Sequence, residues 1–409
     1  MKFSQAKLKE LTEEYGSPLI LYNEQELIEA YEYLAASLGG AKLIYSVKAN
    51  PNPGVIKVLS KNGAMFETAS DIEYKLLRRI GINPKHIIYG GQGKKKEGIR
   101  QAIQEGVFLF NLESQHEVSV LMECAEEERK ICKFLLRINP EYSSKVSVLQ
   151  MSGCPSAFGI DIEYLDETLE FYQSEYIKFA GFFMYNGSQY YDSKDIVNNT
   201  KYLLELAKKY SGKYDIEYLD FGGGFGVIET EKQRPLDIDA LRFELEQIDV
   251  FTELPNLKMT FYESGRYIST VCGTLISKVI DTKWSKGKFF AILDTGITCL
   301  GVRQYCYRLY EPFTDFVTLN KERIPQTLVG PTCTSIDNIC SDVIGNKLSI
   351  GDYVLFKYAG SYLLTYSPVY FCGQATPCEV IEKKDKTFEL LKRSTNIVSD
   401  FGYIYGGIL

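Results

Sequence analysis

The chain is predicted to fold as a closed (β/α)8 barrel, a TIM barrel, followed by a C-terminal β-sandwich or β-barrel domain. Three observations lead there. Eight short apolar runs recur between residues 43 and 266, each followed by a segment of helical periodicity; strands alternating with helices at this spacing form a parallel sheet, and eight of them close into a barrel. Polar residues or glycines gather at the carboxyl ends of the runs: Lys48, Glu67 with Ser70, Gly90, Asn111, Arg137, Ser188, Gly222 to Gly224, and Glu263 with Arg266. In this architecture those ends converge on one face, where a site is built. Beyond Arg266 the segments become strand-like, with little room for helices.

In chain order, residues 4–15 read as an amphipathic helix, PLILY (18–22) as a short strand, and Glu24 to about Ser37 as a helix. The eight barrel runs are LIYSVKA, MFETAS, HIIYGG, FLFNLES, KFLLRIN, FAGFFMYNGS, YLDFGGGFG and MTFYESGR. The later strand-like stretches are VCGTLISKVID, KFFAILD, QTLVGPTC, YVLFKYAG, CEVIEKK and TFELLKR. The barrel is expected over residues 25–267. Residues 1–24 are expected to join 268–409 in the β domain, because a closed barrel leaves the first strand unpaired.

A chain of 409 residues suits two domains. A net charge of −7 with both signs interspersed gives no reason to expect nucleic acid or an anionic membrane as partner. The amino terminus is polar, and no apolar run approaches the ~20 residues that cross a bilayer, so a cytoplasmic protein is expected. Ten cysteines without a CxxC pair, beside only His86 and His116, argue against a zinc site or a disulfide framework.

Three stretches carry chemistry. Lys48 follows Leu43, Ile44, Tyr45 and Val47, so it is expected at the end of a buried strand, partly desolvated. Burial disfavours the ammonium form and favours the nucleophilic amine that an imine-forming lysine needs. YLDFGGGFG is a glycine-rich turn after the seventh run, where such barrels customarily bind phosphate through backbone N–H groups. It lacks the lysine and Ser/Thr of a P-loop and the acidic residue of a dinucleotide fingerprint. ESGR places Glu263, suited to hold a heterocyclic nitrogen protonated, three residues before Arg266, which would lie near the phosphate. An imine lysine, a phosphate cradle and a carboxylate for a ring nitrogen together specify pyridoxal 5'-phosphate.

On YSVKAN, FETAS with Glu73, LRINP, NGSQ, DFGGGFG, ESGR, GPTCTSID, AGSY and FCG, in order and spacing, the chain resembles the barrel-type pyridoxal-phosphate decarboxylases of amino acids. These are the diaminopimelate, ornithine and biosynthetic arginine decarboxylases, with an alanine-racemase-like barrel. The resemblance implies that Lys48 carries the cofactor and that Glu263 pairs with the pyridine nitrogen. It gives Ser188, Gly223, Gly224, Arg266 and Tyr362 to the phosphate, with Glu67, Arg137, Tyr185 and Gly265 completing the cofactor shell. It implies a head-to-tail homodimer with shared sites, in which Cys333 and Asp337 reach the partner's site and Cys333 takes part in protonation after CO2 leaves. Tyr362 and Asp337 would also meet the substrate.

Two positions depart from the family. The histidine that stacks on the cofactor ring is Tyr185 here, which keeps an aromatic face without an imidazole. The acidic residue after the cysteine, suited to a distal ammonium, is Thr334, and a neutral hydroxyl is a poor partner for a buried ammonium. With ESGRYI, GPTCTSID and SYLLTYSPVYF, these departures give the greatest likeness to the glutamyl carrier-protein decarboxylases of butirosin-type antibiotic biosynthesis. The substrate would then be a glutamyl group held as a carrier thioester, with Thr334 facing an uncharged acyl carbonyl. A diaminopimelate or other free amino-acid decarboxylase is the alternative, ahead of a racemase or a non-catalytic homologue. Arg303, in DTGITCLGVRQY, is either a ligand for a substrate carboxylate or an exposed arginine.

Overall fold

The computed structural model describes residues 3–142, 152–172, 174–230, 233–306 and 313–397, with side chains throughout except at 302–306. The chain divides into two compact units: Ile28–Val227 with Arg234–Ile268, and Met1–Leu27 with Ile228–Gln233 and Ser269–Leu409.

The first strand, β1 (Leu19–Asn23), belongs to the second unit. The first unit is built on β2 (Lys42–Ser46), β3 (Met65–Thr68), β4 (Ile87–Tyr89), β5 (Leu109–Leu112), β6 (Cys132–Asn139), a two-residue β7 (Ile160–Asp161), β8 (Ile177–Phe183), β9 (Tyr218–Asp220) and β10 (Met259–Ser264). Each pairs in parallel with its neighbour in the order β2-β3-β4-β5-β6-β8-β9-β10, and β10 pairs back onto β2, so the sheet closes with eight strands. β7 adds only to the side of β6. The eight apolar runs of the sequence are these eight strands.

Period-two alternation fills the barrel. Ile44, Ile88, Leu109, Leu135, Phe183, Tyr218 and Phe261 form one buried apolar cluster, with Ala180. Two residues further along the same strands, on the same face, stand Ser46, Asn111, Arg137, Asp220 and Glu263, and Glu67 stands two beyond Met65; all six are buried. The interior is therefore apolar below and polar towards the carboxyl ends of the strands. The helices that follow β3 and β5 start by the same device. Ser70 accepts from Glu73 N and Ala69 N donates to Glu73; Ser114 accepts from Glu117 N and Glu113 N donates to Glu117. This reciprocal capping satisfies helix-end donors and fixes where each loop turns.

The opposite end of the barrel is closed by ions. Glu217, buried just before β9, accepts from Lys133, from Lys178 at 2.6 Å and from Lys258 at 2.9 Å, three lysines at the starts of neighbouring strands. Burial alone would push the Glu217 carboxyl up, but the three ammonium groups outweigh it and bring it down to about 2.

In the second unit β1 is buried along its length, antiparallel to β11 (Gly273–Ser285) on one side and parallel to β17 (Cys378–Glu382) on the other. With β12 (Lys288–Leu293), β13 (Thr314–Val317), β14 (Arg323–Val329), β15 (Asn338–Asn346), β16 (Tyr353–Phe356) and β18 (Phe388–Lys392) they make a nine-stranded sheet. The long β11 pairs with β1 and β16 through its first half and with β12 through its second, shifting register between Val279 and Asp281. Leu8 and Leu11 of the helix Gln5–Tyr15 pack with Leu19, Leu21, Ile276, Leu355 and Val380 in its core. Two strands and a helix were not expected here. β13 is only four residues long, β15 carries the polar run NICSDVIGN, and the helix Ile297–Cys306 is ITCLGVRQYC, poor in strong helix formers.

Glu217→Gln is expected to lower the unfolding free energy at pH 7 by about 2 kcal/mol, the worth of a hydrogen bond to a charged group. A carboxyl held low in the folded state stabilises above the ordinary glutamate pKa and loses that contribution as pH falls through its folded value. Urea denaturation should therefore show the gap between the two proteins narrowing from about pH 5 to about pH 3. An unchanged gap would remove the lysine cluster as its cause.

Candidate active site

Lys48 lies one residue beyond the start of the single helical turn Val47–Ala49 that follows β2. The desolvation expected for it is replaced by an ion pair. Its ammonium donates to Glu67 Oε2 at 3.1 Å, its side chain is 44 % exposed, and the Glu67 carboxylate beneath is 6 % exposed. The structure places the lysine at the rim of the barrel mouth and sinks the carboxylate into it.

The turn that carries Lys48 is held close to ESGR by a missing side chain. A Cβ on Gly265 would lie 2.5 Å from Ala49 Cβ and 2.7 Å from Ser46 O. The glycine-rich turn reaches the same strand from the other side: Glu263 N donates to Gly222 O at 2.7 Å, and a Cβ on Gly223 would fall 1.8 Å from Glu263 O. Only glycine allows backbone to approach so closely. The loop after β8 is joined to that turn, since Tyr190 N donates to Gly224 O and Gly226 N to Tyr190 O. Ser188 lies half-buried in this loop, and Gly224 and Arg266 are half-buried as well.

Below the rim two carboxyl groups face each other. Asp220 ends β9 and Glu263 lies on the adjacent β10; they are 0 % and 3 % exposed. Burial pushes both up, and their mutual repulsion and the Glu67 charge add to it for Glu263, with Lys48 opposing. The Asp220 carboxyl reaches about 7, mainly through burial, although its bond from Gly222 N at 2.9 Å works the other way.

Arg137 projects into the barrel from β6 and donates from Nη1 to both carboxylate oxygens of Glu113 at 3.0 Å, with the rings of Phe158 and Phe183 over its guanidinium. Tyr185 is half-buried and packs on the apolar cluster of the barrel.

The other expected residues lie in the second unit. Asp337 is buried and accepts from Ile297 N at 2.6 Å, Thr332 N at 2.9 Å and Thr332 Oγ1 at 2.5 Å, so it ties the GPTCTSID loop to the start of the helix Ile297–Cys306. That loop holds Cys333 exposed and Thr334 half-buried. The Cys333 sulfur is 3.3 Å from that of Cys372, also exposed, and this neighbour pushes the Cys333 thiol up, keeping its proton on sulfur. Tyr362 is half-buried with φ of 52°, a left-handed conformation that aromatic residues rarely adopt. Arg303 falls in the helix Ile297–Cys306, and its side chain lies outside the described residues.

The expected site residues thus form two sets. Lys48, Glu67, Glu263, Gly223, Gly224, Gly265 and Arg266 come together at the barrel mouth, and Cys333, Thr334 and Asp337 share one loop of the second unit. Sequence reasoning missed Asp220 and Glu113. The first had a signal, since Asp220 stands two residues after Tyr218, on the inward face of its strand.

Polar atoms at the barrel mouth fit pyridoxal 5'-phosphate. Glu263 Oε1 and both side-chain polar atoms of Asn111 are buried without a hydrogen-bond partner, and a buried polar group without a partner is costly enough to mark a ligand position. A protonated ring nitrogen would satisfy the glutamate, and the glycine turn presents backbone to a phosphate.

The comparisons agree. Residues 24–270 match the family model for the pyridoxal-binding domain of pyridoxal-dependent decarboxylases. The L-glutamyl-[BtrI acyl-carrier protein] decarboxylase of Niallia circulans is 31% identical over 96% of this chain and 95% of its own. The diaminopimelate decarboxylase of Aquifex aeolicus is 30% identical over 89% of this chain and 86% of its own. The crystal structure of diaminopimelate decarboxylase from M. jannaschii in complex with L-lysine superposes with a TM-score of 0.86 at 22% identity, covering 98% of this chain and 95% of that one, which shows the shared fold. The chain belongs to the pyridoxal-dependent decarboxylases, and it is an amino-acid carboxy-lyase whose cofactor is pyridoxal 5'-phosphate.

Proposed function

We propose that this decarboxylase removes the α-carboxyl of a glutamyl group carried as an acyl-carrier-protein thioester, in natural-product biosynthesis. The observation that carries the reading is Thr334, a neutral hydroxyl beside Cys333. A distal ammonium would need a carboxylate there, whereas an acyl carbonyl can accept from a hydroxyl. The 31% identity to the glutamyl-carrier decarboxylase of Niallia circulans supports it. The 30% identity to the Aquifex aeolicus enzyme supports the second reading, diaminopimelate as substrate.

In the proposed site Lys48 is the covalent attachment point. Ser188, Gly223, Gly224, Arg266 and Tyr362 hold the phosphate, Glu263 holds the ring nitrogen protonated, and Tyr185 stacks on the ring. Bound pyridoxal 5'-phosphate supplies the electron sink for the pair left as CO2 departs. Glu67 keeps the Lys48 ammonium oriented, and Arg137 with Glu113 walls the mouth. Cys333 holds a proton on sulfur for the substrate carbon. Asp337 fixes the loop that presents Cys333 and Thr334, and Arg303 is the proposed ligand of a substrate carboxylate. Cys333 and Asp337 act at the partner's site in a cytoplasmic homodimer.

Among the described residues no helix is long and apolar enough to cross a membrane.

Two outcomes test this reading. Mass spectrometry of turnover should show CO2 loss from glutamyl thioester on a carrier protein and not from free glutamate, diaminopimelate, ornithine, lysine or arginine. Rapid turnover of a free diamino acid would overturn the substrate assignment and leave the family intact. Cys333→Ala should lower kcat by about a hundredfold or more, the scale of general acid catalysis, with product stereochemistry degraded. Unchanged turnover and stereochemistry would remove Cys333 from the protonation step.

A further inference from the structure

We propose that Asp220 is a positioning residue: buried beside Glu263 on the adjacent barrel strand, it shares a proton with that glutamate and so fixes the carboxylate that meets the cofactor's ring nitrogen. The inference rests on the reading of Glu263 given above.

The two strands dictate the meeting. Asp220 is paired with Phe261, and Glu263 is the next residue of β10 on the same inward face. Neither carboxyl group reaches water. They lie within hydrogen-bonding reach of each other, yet Asp220 Oδ2 and Glu263 Oε1 are both buried without a donor. Two ionised carboxylates cannot bond; one proton between them satisfies both. Asp220 Oδ1 accepts from Gly222 N at 2.9 Å, which aims the remaining oxygen away from the glycine turn.

The charges around the pair make the proton stay. Glu67 of β3 is a third buried carboxylate in the same part of the barrel, and the ammonium of Lys48 pairs with it at 3.1 Å. The guanidinium of Arg137, on β6, is held by Glu113. Lys48 opposes the upward shift of both carboxyls without offsetting burial, and ionising both members of the pair would bury two like charges side by side. The hydrogen bond within the pair lowers the pKa of Asp220 and raises that of Glu263, so without cofactor the shared proton rests on Glu263. A protonated ring nitrogen at Glu263 would move it to Asp220, which would then donate to the glutamate. Asp220 also opens the glycine turn, so the same residue sets the phosphate cradle and the ring-nitrogen ligand in register.

The test is pyridoxal-phosphate affinity of the full-length protein, stripped of cofactor and retitrated from about pH 6 to about pH 9, for wild type, Asp220→Asn, Asp220→Leu and Glu263→Gln. The visible spectrum of the bound cofactor is read alongside. Asp220→Asn keeps a donor that cannot ionise, so it should bind within about threefold of wild type at the low end, and lose the pH dependence that wild type shows as Asp220 ionises. Asp220→Leu should weaken binding about tenfold or more, the worth of a hydrogen bond to a charge. If Asp220→Leu does not fold, the pH profile of Asp220→Asn against wild type carries the test alone. Denaturation of the stripped protein adds a second readout. A carboxyl raised in the folded state stabilises at low pH and loses that contribution as pH rises through its folded value, so Asp220→Asn should flatten the decline of wild-type stability between about pH 4 and about pH 7.

Wild-type affinity, spectrum and pH profile in both Asp220 variants would overturn the proposal. If Glu263→Gln changes affinity and spectrum while the Asp220 variants do not, only the shared proton fails. If Glu263→Gln is also silent, the ring-nitrogen reading itself fails.

Discussion

Closure of the sheet is the constraint on which the rest depends. When β10 pairs back onto β2, Ile44 comes level with Glu263 and Ser46 with Glu67, and the upper interior becomes one small volume into which eight strands deliver side chains. Among what they deliver are three carboxyls, Glu67, Asp220 and Glu263, with Lys48 at the rim and Arg137 held by Glu113. In such a space a charge is tolerated only with a partner, so Glu67 pairs with the lysine and the other two carboxyls share a proton. The same closure explains the glycines. Gly223 and Gly265 lie where backbone from a neighbouring loop or strand occupies the volume of a Cβ, and any side chain there would push the phosphate turn or the lysine turn out of register.

The two ends of the barrel handle charge in opposite ways. At the base, one buried glutamate meets three lysines and is held ionised. At the mouth, three buried carboxyls meet one lysine, and proton retention follows. The first arrangement stabilises the fold near neutral pH; the second stores titratable protons beside the positions proposed for the cofactor. Functional sites concentrate perturbed acids in this way.

Much of the fold was legible in the sequence because parallel barrel strands are short, regularly spaced and marked by polar carboxyl ends. The eight runs from LIYSVKA to MTFYESGR are the eight strands, and the motifs after them supply the cluster at the mouth. The second unit was less legible. β15 is half exposed and reads as a polar loop, and the helix Ile297–Cys306 is written in β-branched residues, cysteine and glycine. Within the site, the position of Lys48 could be read but its environment could not. The apolar residues before it suggested burial, whereas the chain turns at Val47 and leaves the ammonium beside Glu67. Partners across the barrel, such as Asp220 for Glu263 and Glu113 for Arg137, depend on strand register, which no local motif records.

The attachment point of the cofactor tests the site as a whole. Borohydride reduction of the loaded enzyme, followed by digestion and peptide mass spectrometry, would locate the lysine that becomes pyridoxylated. A label confined to the peptide containing Lys48 is expected, because that ammonium, paired with Glu67, acts on the carboxyl groups of Asp220 and Glu263 at the barrel mouth. A label on Lys94 or any other lysine, with Lys48 unmodified, would contradict the arrangement.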